Sequence, residues 1–183
     1  MTTSSNGRIF WGAALAVVVL DVITKLLIQH YLLIPGLPHP VIGDVVRFTL
    51  VYNRGAAFSM SLGRYSPWIF GSFAVIALYI LWHLYRQTAP GDRSRALALG
   101  LAWGGALGNL IDRFRTHGLG VVDFIDIGVG SVRFWTFNVA DSAVTIGALL
   151  LAWVLWHEDK QPTTARPAMS KTEREAVEER TGT

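Results

Sequence analysis

The sequence predicts an all-α membrane protein of four transmembrane helices with a small extracytoplasmic β-rich region. Three observations lead there. Of 183 residues, 51% are hydrophobic and only 16% charged, against roughly 25% charge in an ordinary soluble domain. The apolar residues come in long uncharged blocks, whereas a globular core is built from short runs. Four blocks approach the ~20 residues that a helix needs to cross a hydrocarbon core about 30 Å thick.

The first block, about residues 9–33, is interrupted by Asp21 and Lys25. Arg8 followed by Ile9 to Leu20 also resembles a secretory signal peptide, but no small-x-small cleavage pattern follows, so a retained helix is expected. The connection after it contains Val45 to Tyr52, rich in β-branched and aromatic residues as strands are. The second block covers residues 67–85. The third, residues 96–111, has sixteen uncharged residues between Arg95 and Asp112. Val121 to Ile127 (VVDFIDI) predicts another strand, so the two long connections should form a small sheet at the outer membrane surface. The fourth block covers residues 138–156. Trp68, Trp82, Trp135 and Trp156 stand near predicted ends, where an indole prefers the interface. These blocks define a membrane domain over 1–156 and a polar tail over 157–183, too poor in apolar residues to fold alone. Within the tail, Ser170 to Glu173 has the spacing of a capping box.

Several functional classes are excluded early. The chain has no Cys, which removes disulfides, thiol nucleophiles and thiolate metal sites. Its net charge of +3 comes from scattered basic residues and not from a stripe, so no nucleic-acid partner is expected. There is no His-Glu-x-x-His motif, and a metal would have to rely on carboxylates with His117; no metal or other cofactor is expected. The glycines of the third block precede no Lys and make no phosphate loop.

Ionisable groups within spans mark an internal pair, a pathway or a site. Asp21 and Lys25, four apart with the acid first, are read as a structural pair, the alternative being Lys25 as the base of a Ser-Lys protease. Gly100, Gly104 and Gly108 form a smooth stripe suited to close helix packing. Asn109 and Arg113 lie on the adjoining line, and Asp112 beside Arg113 could be simple interfacial charge. Asp141 stands about one turn into the fourth span, with Asn138 and Thr145 on its face, and must be neutralised, paired or hydrated. In a strand, Asp123 shares a face with Val121, Ile125 and Ile127, while Asp126 takes the other face and is expected at the surface. Asp123 and Asp141 could form a proton-sharing hydrolytic dyad, belong to a proton pathway, or be structural acids. The residues alone leave these open.

Five blocks in order resemble lipoprotein signal peptidase, the type II signal peptidase of bacterial inner membranes: DVITK (21–25), NRGAAF (53–58), GGALGNLIDR (104–113), VVDFI (121–125) and FNVADSA (137–143). The resemblance covers residues 9–156 and implies an aspartyl endopeptidase without a cofactor. Its substrates would be diacylglyceryl-modified prolipoproteins in contact with membrane lipid, cut on the N-terminal side of the lipidated Cys. By matching position, Asp123 and Asp141 would be catalytic. Asn109, Arg113 and Asn138 would orient carboxylates and substrate, with Asp112 helping to hold Arg113, and Asn53, Gly55 and Phe58 would belong to the loop that cradles substrate. The resemblance assigns the tail no role. A monomer is expected. The competing class is a small proton-coupled carrier using Asp21, Asp112 and Asp141; a scaffold with the glycine stripe as its partner surface is a third.

Basic residues in short connections mark the cytoplasmic side. Both termini with the second connection hold nine, and the first and third connections hold six over longer segments. Reporters fused after Trp156 should therefore be cytoplasmic, and reporters within the first or third connection should be external. An external C-terminus would reverse the orientation of the site.

Overall fold

A computed structural model describes residues 3–55, 65–116 and 118–158 of the chain. Phe58, His117 and the whole tail from residue 159, with its capping-box spacing, lie outside the described residues. In chain order the elements are α1 (Thr3–Tyr31), β1 (Pro38–Ile42), β2 (Val46–Asn53), α2 (Ser66–Arg86), α3 (Arg93–Arg115), β3 (Val121–Val129), β4 (Val132–Arg133) and α4 (Val139–Glu158).

Among the described residues, three helical stretches are long and apolar enough to cross a membrane: Ser5–Tyr31, Trp68–Arg86 and Val139–Glu158. Their outer faces carry exposed Leu15, Leu20, Tyr79, Ile146, Leu149 and Trp153, a surface that lipid tolerates and water does not. Helix α3 differs because it packs against α1, α2 and α4. Its buried residues are mostly Ala and Gly. A helix enclosed by other helices needs no wide lipid-facing stripe, and its charged ends run beyond the sixteen-residue uncharged stretch. Asp92 caps its start by accepting from Arg95 N at 2.9 Å.

The glycine stripe is used within the chain, so it is no outward partner surface. A Cβ at Gly100 would stand 2.6 Å from Phe10 O, and one at Gly104 would stand 2.7 Å from Ala14 O, both on α1. Gly105 and Gly147 make the equivalent approach between α3 and α4.

The strands form one antiparallel sheet in the order β1-β2-β3-β4. Leu50, Val122 and Phe124 of the sheet pack with Ile28 of α1 and Leu32 just beyond it, which seats the sheet on the end of that helix. Between Phe48 and Val51 the β2–β3 register shifts, so that Val51 stands opposite Asp123 and Asn53 opposite Val121. Strand β1 was not expected from its sequence, PHPVI, because two prolines argue against a strand; at a sheet edge they cost no ladder hydrogen bond.

The helix contacts predict a sharp contrast between glycines. Gly104→Ala should destabilise the protein by roughly 1–3 kcal/mol, because its methyl group meets the backbone of α1. Gly71→Ala on α2, where a Cβ meets nothing within 4 Å, should be neutral or slightly stabilising. Thermal unfolding of both variants in detergent checks this.

Candidate active site

Asp123 and Asp141 border one cavity of about 1230 Å³, together with Asn53, Gly55, Asn109 and Arg113. The two carboxylates come from different elements and are joined by amides. Asn138 Nδ2 donates to Asp123 Oδ1 at 2.7 Å, and Asn53 Nδ2 donates to Asp123 Oδ2 at 3.1 Å. On the other side, Asn109 Nδ2 donates to Asp141 Oδ1 at 2.8 Å.

Asn138 and Asp141 also start helix α4. Asp141 N donates to Asn138 Oδ1 at 2.8 Å, and Asn138 N donates back to Asp141 Oδ2 at 3.1 Å. This reciprocal exchange is a capping box built from Asn and Asp. Its three-residue spacing was present in FNVADSA but was read only as a shared helix face. Thr145 donates to Asp141 O and not to the carboxylate.

Asp123 is 3% exposed. Burial pushes its carboxyl up to about 7, and the nearby Asp141 acts in the same direction; the hydrogen bonds from Asn53 and Asn138 and the charge of Lys25 oppose the rise. Such a carboxyl group keeps its proton up to near-neutral pH, where an ordinary surface carboxylate is already ionised.

Arg113 donates from Nη2 to Gly55 O at 3.0 Å, and its guanidinium lies 5.6 Å from the Phe70 ring centre. Its Nη1 is buried and makes no hydrogen bond among the described residues. Gly55 N in turn donates to Asn53 Oδ1 at 3.0 Å, so the turn after β2 is braced against the Asn that meets Asp123.

Two sequence expectations are corrected. Asp112 does not hold Arg113: it is fully buried, with its carboxylate on Lys25 at 2.8 Å and on Arg115 at 3.0 Å. Asp126 is not a surface residue. It is 6% exposed, accepts from Thr49 at 3.0 Å and from Arg133 Nε at 2.5 Å, and also borders the cavity. Strand alternation placed it on the second face and took that face for a wet one. Lys25 Nζ lies 2.7 Å from Asp21 Oδ2, both fully buried. Among the described residues, no group of three or more His, Asp or Glu is placed to hold a metal.

A family model described as Signal peptidase (SPase) II matches residues 13–157. The lipoprotein signal peptidase of Geobacillus kaustophilus is 43% identical over 143 residues, covering 78% of this chain and 88% of that protein. That of Mycobacterium avium is 43% identical over 153 residues, covering 79% and 76%. A solved structure described as a bacterial membrane enzyme, obtained by the in meso method, superposes with a TM-score of 0.74 at 33% identity, covering 83% of this chain and 90% of that one.

The environment of Asp123 predicts how it titrates. Asp141→Asn removes a like charge, so Asp123 should ionise at lower pH than in the parent, yet still above the ordinary carboxylate range because its burial is unchanged. Carboxyl-stretch infrared titration of the two proteins measures the difference. An unchanged Asp123 would mean that the two acids do not sense each other.

Proposed function

The chain belongs to the signal peptidase II family, and from that premise we propose how its residues carry out the family's reaction. The protein is a membrane protease that removes signal peptides from prolipoproteins. In our reading Asp123 and Asp141 are its catalytic pair. The observation behind this is the shared cavity, in which one carboxyl is pushed up to about 7 and the other stands at a helix N-terminus.

The reaction then needs no covalent intermediate. Asp141 removes a proton from water as its oxygen bonds to the scissile carbonyl carbon, and Asp123 gives its proton to the carbonyl oxygen. The resulting gem-diol collapses when Asp123 takes back a proton from one hydroxyl and Asp141 protonates the leaving amine. The C–N bond breaks, and both carboxyls return to their starting states. Asn53, Asn109 and Asn138 hold the acids by their amide groups, and Arg113, which borders the cavity, suits a substrate backbone carbonyl. Gly55 and Phe58 belong to the substrate-cradling loop.

The substrate is a prolipoprotein whose Cys already carries diacylglycerol, and the cut falls on the N-terminal side of that Cys. Its acyl chains place the scissile bond at the outer interface, the depth at which the sheet meets the helix ends. Lipid binding remote from the reacting bond then helps to position it. We place the enzyme in the bacterial inner membrane with α3 as a fourth crossing, both termini cytoplasmic and the cavity outward. Residues 1–156 form the peptidase domain, and 157–183 form a cytoplasmic tail. One chain supplies both acids, so a monomer suffices. The carrier alternative falls away because the Asp21 and Asp112 carboxylates are occupied by Lys25 and backbone N–H groups.

Asp123→Asn and Asp141→Asn should each abolish cleavage of a diacylglyceryl-Cys peptide while the protein remains folded and binds it. Asp126→Asn, which keeps an acceptor for Arg133, should be far milder. For the parent, kcat/KM should fall as pH rises through about 7, where Asp123 loses the proton it must donate. Substantial turnover by either dyad variant would sink the assignment.

A further inference from the structure

The buried ammonium of Lys25 has three partners, and each leads to at least one of the two acids. Its Nζ stands 2.7 Å from Asp21 Oδ2, 2.8 Å from Asp112 Oδ2 and 3.1 Å from Asn109 Oδ1. The other oxygen of Asp21, Oδ1, accepts the backbone N–H of Ala140 at 2.9 Å, one residue before Asp141. Asp112 Oδ2 also accepts the backbone N–H of Val122 at 3.0 Å, one residue before Asp123. Asn109 donates to Asp141 itself, and its Oδ1 also accepts from Asn138 Nδ2, which reaches Asp123.

Neutralising Lys25 does not explain this arrangement. One buried carboxylate would balance one ammonium; here two are present, and Arg115 on Asp112 brings the four charges to zero. Ion pairs taken out of water are weak stabilisers, and well-packed apolar groups of similar volume often do as well. Geometry accounts for what stability does not. Each carboxylate uses an oxygen to hold the main chain just ahead of an acid, and those segments lie on separate elements, β3 and α4. Lys25 fixes the two carboxylates relative to each other, and through them β3 relative to α4.

We propose that Lys25, acting through Asp21, Asp112 and Asn109, is a positioning residue that sets the separation and orientation of the Asp123 and Asp141 carboxyl groups. This rests on the reading of those two acids as the catalytic pair. Lys25 touches neither of them and exchanges no proton in the reaction. Its role is to hold the acids in register, where a misplacement of about 1 Å can cost about 100-fold in rate.

The test uses the full-length enzyme, purified in detergent, with kcat and KM for a diacylglyceryl-Cys peptide and the melting temperature of each variant. Lys25→Met should lower kcat about 100-fold with KM little changed, because the cavity's substrate contacts remain. Asp112 provides a finer comparison. Asp112→Asn can keep one oxygen facing both Lys25 and the Val122 N–H, giving up only the bond to Arg115, whereas Asp112→Leu removes that oxygen from both donors, leaving Lys25 only Asp21 and Asn109. The Leu variant should therefore lose about tenfold or more kcat beyond the Asn variant. Assays are run well below each melting temperature, so a purely structural role would leave kcat intact in the folded fraction. Near-parental kcat in Lys25→Met, equal losses in the two Asp112 variants, or an Asp112→Asn loss of about 100-fold would each overturn the proposal. Should Lys25→Met and Asp112→Leu fail to insert, Asp112→Asn still decides by that last criterion. Asp123→Asn is assayed alongside: if it is active the dyad reading fails, and if it is inactive beside a fully active Lys25→Met only the positioning role fails.

Discussion

The close approach of α3 to α1 and α4 is the constraint on which the rest of the structure depends. Between helices in lipid the hydrophobic effect supplies little attraction, so association relies on packing and polar contacts, both of which need short distances. Gly100, Gly104 and Gly105 remove the side chains that would hold the backbones apart. Gly108 goes further: a Cβ there would stand 2.6 Å from Asp21 Oδ2, in the space that the carboxylate occupies beside Lys25. The glycines thus bring the backbones together and leave room for the ion pairs. A larger residue at this last position would disturb the Asp21 carboxylate before it disturbed the helix axes.

The same contact ties the membrane helices to the sheet. At the end of α3, Thr116 Oγ1 donates to Gly120 O at 2.7 Å and accepts from Gly120 N at 3.1 Å, closing the turn into β3. Gly120 has φ +99, and a Cβ there would run into the Asn53 carbonyl, so this crossing of β3 over the end of β2 admits only glycine. Three residues later comes Asp123, held from β2 by Asn53 and from α4 by Asn138. The acid is therefore located by three elements, β3 itself, β2 and α4.

Much of this was legible in the sequence, for identifiable reasons. Long uncharged blocks reveal helices by composition, and a carboxylate in such surroundings is conspicuous alone; Asp123 and Asp141 stood out in that way before any resemblance was considered. Helical spacing placed Asn109, Arg113 and Asn138 without a role; the resemblance gave them one and added Asn53. What remained hidden depends on contacts between distant residues. Lys25 meets Asp112 across 87 positions and Asp21 meets the Ala140 N–H across 119, and no local periodicity reports such pairs. Asp126 was misplaced because strand alternation predicts which face a residue takes, not whether Thr49 and Arg133 then cover that face. Strand β1 was hidden because its prolines are permitted only by its edge position, a property of the assembled sheet.

The two sets of acids, buried Asp21 and Asp112 and cavity-lining Asp123 and Asp141, are treated in opposite ways. Asp21 and Asp112 are met directly by cations, Lys25 and Arg115. Asp123 and Asp141 are met by the neutral amides of Asn53, Asn109 and Asn138. Arg113, although it borders the same cavity, spends its hydrogen bond on Gly55 O. An amide can fix a carboxyl oxygen in place without adding the full charge that would strip its proton. Asn109 stands between the two regimes, accepting from Lys25 with one end and donating to Asp141 with the other. It passes on position while keeping the ammonium one side chain away. Were Lys25 in direct contact with Asp123, its full charge would oppose the proton that burial favours there, and that is the proton the proposed reaction gives to the scissile carbonyl.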